Sequence, residues 1–158
     1  EALARLGDDR IRFLVVGPRT EHLDTMMNDP RLGRYILATG PQPKDRMPAY
    51  LDLADLVALP LVDSLLARSQ TPCKVFEAMA MAKPVIATAV SDLPLILDGC
   101  GWVIPPGDVD ALARTIGEAV NDPASAAARG RAAREKCVRM YAKEQTERDL
   151  VSMIEALA

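Results

Sequence analysis

The chain has 158 residues, 49% of them apolar and 26% charged, with 19 Lys and Arg against 22 Asp and Glu for a formal net charge of −3; this is the balance of one soluble globular domain and offers no overall basic footprint for nucleic acid or an anionic membrane surface. No apolar run approaches the ~20 residues of a membrane-spanning helix, and a single histidine, His22, excludes a His-based triad and a multi-His metal site. Cys73, Cys100 and Cys137 show neither metal nor CxxC spacing, which predicts reduced thiols in a cytoplasmic protein.

In chain order, short β-branched runs alternate with helical patterns. RIRFLVV (10–16) predicts a buried strand, followed by a turn at Gly17–Pro18 and a short helix near 21–28. RYILAT (34–39) is the next strand and ends in the breaker-rich loop GPQPKD. Residues 46–54 read as a short helix with Pro48 tolerated in its first turn. Further strands fall at 55–60, 83–88 and 101–105. Continuous apolar strands with helices between them predict an α/β fold, a Rossmann-like doubly wound parallel sheet covered on both faces. In such sheets ligands bind outside the carboxyl ends of the strands. After PPGD the character changes: Asp108 is placed to cap a helix over 109–121, Pro123 starts an Ala- and Arg-rich helix, and a third helix runs from about 143 to the end as a helical tail.

One residue stands out. In SQTPCKVFEAMAMAKPVIAT (69–88) a helix over 72–82 reads as core except for Glu77. Thr71 can cap it and Pro72 suits its first position. The free N–H groups of Cys73, Lys74 and Val75 would then point outward with the positive end of the helix dipole, a setting for an anion. Lys74 adds a full charge, and Glu77, one turn on, suits a neutral polyol because a carboxylate accepts hydrogen bonds from vicinal hydroxyls. A plainer reading stands beside this one: Lys74 and Glu77 as an i,i+3 pair on a solvated face, worth about 0.2–0.5 kcal/mol. TPCK has no Gly-rich loop before it, and neither a P-loop nor a GxGxxG is present.

KVFEAMAMAKPVIAT, DLPLIL, GWVIPPGD and DALARTI, with RFLVVGP and ATGPQPKDRMPAYLDLADLVALP upstream, resemble in order the nucleotide-binding, C-terminal half of retaining glycosyltransferases of family 4, which have the GT-B fold. The resemblance covers about residues 10–120. It implies transfer of a sugar from a nucleotide diphosphate donor to an acceptor hydroxyl with retention. The second acid of the family's E-x7-E motif falls on Glu77, implying a hold on the donor ribose. The first acid falls on Ser69, which can hydrogen-bond a sugar hydroxyl but offers no carboxylate. The same resemblance brings Thr71, Pro72, Cys73, Lys74 and Val75 to the diphosphate or donor sugar. It sets Gly40, Pro41, Gln42 and Pro43 near the base. It implies no cofactor and no metal. Ala82 stands where the family usually has Gly, which reads as a packing change.

The resemblance also implies what surrounds these residues. Residues 1–122 would be the donor nucleotide-binding domain and 123–158 its C-terminal helices. The family's half begins with a strand and an Arg- and Lys-bearing loop that EALARLGDD does not contain. The chain is therefore expected to be part of a longer protein, with exposed strand edges in a sheet of order 3-2-1-4-5-6. An acceptor-binding N-terminal domain of the parent chain would be its partner, and these residues alone should not catalyse. Membrane association would come only through that other half, the parent being cytoplasmic or peripheral to the inner face of the membrane. Leu150, Ile154 and Leu157 would cover the partner surface or pack into the core. Two other readings remain: a non-catalytic doubly wound binding or regulatory module, and a GT-B-type sugar-nucleotide epimerase, against which the lone His22 counts.

Overall fold

The computed structural model describes residues 1–157. The elements are α1 (Ala2–Leu6), β1 (Phe13–Val16), α2 (Glu21–Asn28), β2 (Ile36–Gly40), α3 (Met47–Asp52), β3 (Val57–Leu59), α4 (Leu65–Arg68), α5 (Cys73–Ala80), β4 (Val85–Thr88), α6 (Leu93–Leu97), β5 (Trp102–Ile104), α7 (Val109–Asn121), α8 (Pro123–Met140) and α9 (Lys143–Glu155). Every strand pairing is parallel, as βα alternation requires, because successive parallel strands need a crossover.

The pairing divides into a β1–β2 ribbon and a three-stranded sheet of order β3-β4-β5. The single predicted sheet is thus two sheets, with no strand pairing between them among the described residues. The sheets differ in burial. All four residues of β4 are buried, while none of β1 or β2 is. Along β4 the side chains alternate between two cores, as a period of two dictates. Val85 and Ala87 join Val75, Ala78 and Met79 of α5, Leu93 and Leu97 of α6, and Ala133 and Cys137 of α8. Ile86 joins Ile104, Ala111 and Ile116, with Leu3 and Leu6 of α1 packed against them. Helices therefore cover both faces of this sheet. Each fully buried Leu or Met contributes about 1.5–3 kcal/mol relative to exposure.

Local chemistry explains the boundaries. Thr20 accepts from the Leu23 N–H at 3.2 Å and starts α2. Asp108 accepts from the Ala111 N–H at 2.8 Å and starts α7, and Asp122 does the same from Ser125 at 3.0 Å ahead of Pro123 and α8. The strands are shorter than their apolar runs. β1 begins at Phe13 because Asp8, Arg10 and Arg12 fold the preceding residues into a turn, with the Arg12 guanidinium donating to the carbonyls of Asp9 and Ile11. The short helices α4 and α6 lie where no helix is expected from the sequence. Gly130 of α8 sits against the Ala82 carbonyl, and any side chain there would collide with it. Ala82 itself has φ +54°, so its replacement of Gly is a backbone matter and corrects the packing reading. No residue of α9 is buried, and Leu150, Ile154 and Leu157 are all exposed. They do not pack into this chain's core.

Candidate functional site

The two cores immobilise β4 and α5, and the site residues stand where these elements meet at the carboxyl end of the sheet. Pro72 has φ −70° and ψ 120° and occupies the cap position, so α5 opens at Cys73 rather than at Pro72. The Thr71 side chain does not cap the helix. Its hydroxyl donates to Asp92 Oδ2 at 2.9 Å. The Val75 N–H is also not free, because it donates to the Pro72 carbonyl at 3.1 Å. That leaves the N–H groups of Cys73 and Lys74 as donors without a carbonyl partner among the described residues. They lie at the positive end of α5, so an anion would be stabilised there.

Val75, Ala78 and Met79 turn inward, and Cys73, Lys74 and Glu77 are exposed. Lys74 and Glu77 form no ion pair among the described residues, where neither side chain has a partner. The i,i+3 ion pair is not formed, although both side chains lie on a solvated face as the plainer reading expects. Both groups remain available to a ligand, one turn apart on the same helix. Ser69 caps the end of α4, and its hydroxyl donates to the Leu66 carbonyl at 2.9 Å. The Asp63–Arg68 ion pair braces this short helix at 2.6 Å, and the Arg68 hydrogen bond holds the Asp63 carboxyl below its ordinary range. At the end of β4, buried Thr88 donates to the Leu61 carbonyl at 2.9 Å, which fixes the connection leading to α4.

Gly40, Pro41, Gln42 and Pro43 stand at the carboxyl end of β2, on the other sheet. Gly40 takes φ +73°, a conformation that favours glycine, and its carbonyl accepts from the Gly17 N–H at 3.1 Å. Gln42 donates to the Thr39 carbonyl at 3.1 Å. No hydrogen bond or ion pair joins this loop to the Ser69–Glu77 group among the described residues. The candidate residues thus fall into two groups, both at carboxyl strand ends.

The exposed Cys73 begins α5, whereas Cys100 and Cys137 are buried, and desolvation pushes their thiols up. Among the described residues no group of three or more His, Cys, Asp or Glu side chains could hold a metal ion. No described helix is long and apolar enough to cross a membrane. Thr88, Ser91 and Asp92, which the sequence reading does not single out, also stand at this end of the sheet, Thr88 closing β4 and the other two in the turn that follows. In the sequence they are marked only by a polar Thr ending an apolar strand and a Ser-Asp pair at the following turn.

The fold thus brings a helix start with two free amides, and an exposed carboxylate one turn on, to the carboxyl ends of its strands. The chain belongs to the family described as glycosyl transferases group 1, whose model matches residues 1–122. It is 34% identical over 144 residues to the 2-deoxystreptamine glucosyltransferase of Streptomyces kanamyceticus, covering 85% of this chain and 35% of that protein. It is 30% identical over 138 residues to the GDP-mannose-dependent alpha-(1-6)-phosphatidylinositol monomannoside mannosyltransferase of Mycolicibacterium smegmatis, covering 85% of this chain and 36% of that one. Among solved structures, Anabaena Alr3699/HepE in complex with UDP and glucose superposes with a TM-score of 0.80 at 19% identity, covering 98% of this chain and 43% of that chain. The chain thus spans little more than a third of the length of the curated relatives it matches. Its fold is that of GT-B glycosyltransferase structures, with the helical tail present.

Proposed function

We propose that this chain is the donor-binding part of a family 4 glycosyltransferase that transfers a sugar from a nucleotide diphosphate to an acceptor hydroxyl with retained configuration. The observation that carries the reading is the unpartnered Glu77 carboxylate, one turn from the free amides of Cys73 and Lys74. Glu77 accepts hydrogen bonds from the ribose and sets the nucleotide's position, acting by orientation rather than proton transfer. The amides and the Lys74 ammonium stabilise the diphosphate as the bond from the anomeric carbon to its oxygen breaks and charge grows on the leaving group. The acceptor oxygen forms the new bond to the anomeric carbon, and its proton passes to the leaving diphosphate oxygen. The loop Gly40–Pro43 lies toward the base.

In this reading residues 1–122 carry the donor site and 123–158 close the same domain. An acceptor-binding N-terminal domain completes the enzyme, and the chain alone does not turn over. The reading calls for no metal, and it puts the parent protein in the cytoplasm or at the inner face of the membrane.

Ligand-observed NMR of the 158-residue chain with uridine, guanosine and adenosine diphosphates tests it, with Glu77→Ala beside the wild type. One nucleotide that binds the wild type and is lost in the variant is the expected result. Equal binding by both proteins removes Glu77 from the site.

A further inference from the structure

One carboxylate near the start of α5 has no place in that account. Asp92 is exposed and lies just beyond β4, in the turn that leads into α6. It stands at the cap position of α6, where an Asp side chain ordinarily accepts from the first helical amides. Here it makes no such bond. Its Oδ2 instead accepts from the Thr71 hydroxyl at 2.9 Å, two residues before α5 begins. The backbone is bent to achieve this, because Ser91 takes φ +54°, a left-handed conformation that a residue with a side chain rarely adopts.

A negative charge beside free amides opposes a phosphate. The same charge suits a neutral polyol, because a carboxylate oxygen accepts from hydroxyls and one oxygen of Asp92 is left over once Thr71 is satisfied. Ser69 cannot supply such an acceptor of comparable strength: it is a hydroxyl, and its proton is spent on the Leu66 carbonyl. We infer that Asp92 is a specificity-determining residue that accepts a hydrogen bond from a hydroxyl of the donor's sugar, with Thr71 holding the carboxylate in place. The inference rests on the donor-site reading above and adds the group that distinguishes a nucleotide sugar from a bare nucleotide.

The test compares affinities of the 158-residue chain for UDP against UDP-glucose and for GDP against GDP-mannose, using wild type, Asp92→Asn and Thr71→Val. For the pair whose diphosphate binds, Asp92→Asn is expected to weaken the nucleotide sugar roughly 10-fold, as loss of a hydrogen bond to a charged group implies, and to leave the bare diphosphate unchanged or slightly tighter. Thr71→Val, which keeps the carboxylate, should weaken the nucleotide sugar by much less. Equal weakening of both ligands by Asp92→Asn, or no weakening of either, overturns the proposal. A wild-type chain that binds the diphosphates through Glu77 but shows no such selectivity refutes Asp92 alone. One that binds none of the uridine, guanosine and adenosine diphosphates refutes the donor site and Asp92 with it. Should Asp92→Asn not fold, Asp92→Glu keeps the charge and displaces the oxygen. An altered ratio of nucleotide-sugar to diphosphate affinity then supports the role, and an unaltered ratio refutes it.

Discussion

The β1–β2 ribbon and the β3–β4–β5 sheet are built from the same βα repeat, with the same parallel pairing, yet only one of them is a core. β4 is covered on both faces by α5, α6 and α8 on one side and by α7 on the other. In the ribbon, Phe13 is 46% and Leu37 52% exposed. A parallel strand needs cover on both faces and a neighbour on each edge, and β1 is bonded along one edge only. The comparison teaches where a rigid site can be held. The residues of α5 and the β4 turn are positioned by buried neighbours, whereas Gly40–Pro43 hang from the less buried ribbon.

The largest expected effect is in local stability. Amide hydrogen exchange of Leu14, Val16 and Leu37 should proceed by openings of low free energy, and that of Ile86 and Ala87 only by unfolding of the larger sheet. The gap should be at least about 3 kcal/mol, since buried elements open with free energies approaching the global value. Equal protection in both sheets would erase the distinction.

Next comes the contact between α8 and the turn after α5. Gly130→Ala drives a methyl group into the Ala82 carbonyl, so one of these backbones must move. Overpacking of this kind costs about 1–3 kcal/mol, and the rigid carbonyl puts this site at the upper end. A denaturant melt reads it. A loss below about 0.5 kcal/mol would mean that α8 can slide, and that the larger sheet is less tightly held than its burial suggests.

The opposite sign is expected on the other side of this contact. Ala82 at φ +54° carries the steric cost of a left-handed L-residue, about 1–2 kcal/mol. Ala82→Gly removes that cost but gives the unfolded chain more freedom, which offsets it by about 0.4–1 kcal/mol. A net gain of about 0.5–1 kcal/mol in the same melt is the expected outcome. A net loss would show that the Ala82 methyl packs usefully.

These positions also show what could be read from residues alone. α2 and α7 match their expected spans of 21–28 and 109–121, because Thr20 and Asp108 are local capping signals and the apolar spacing behind them is regular. Helix α5 was legible from the apolar run around Glu77. Its start was not, because Pro72 suits both the cap and the first helical position, and the choice depends on what Thr71 bonds. Thr71 bonds Asp92, 21 residues away in sequence, a distance over which no local pattern carries information. The division into two sheets was equally hidden. FLVV and VIAT are alike as strings, and only tertiary cover makes one of them core. The same holds for Ala82, since alanine carries no mark of the sign of its φ.

The smallest expected effect lies where the two regions are tied together. Arg10, just before β1, donates to both oxygens of Asp8 and reaches Asn121 Oδ1 at the end of α7 at 3.2 Å. The side-chain bond from the Arg10 guanidinium, then the bond from its backbone N–H, lowers the Asp8 carboxyl from 3.8 to about 2. A carboxyl depressed in the folded state stabilises it above the unfolded value. Its contribution is therefore complete above about pH 4 and disappears as the pH falls toward 2. Denaturant midpoints measured from pH 7 down to pH 2 should fall less steeply below pH 4 in Asp8→Asn than in the wild type, with the variant slightly less stable at pH 7. Because this pair faces water, 0.5 M salt should shrink the difference. If the two acid limbs run parallel at low salt, the Asp8–Arg10 pair contributes nothing to the tie, which then rests on the Arg10–Asn121 bond and on the packing of Ile11 against the core of the larger sheet.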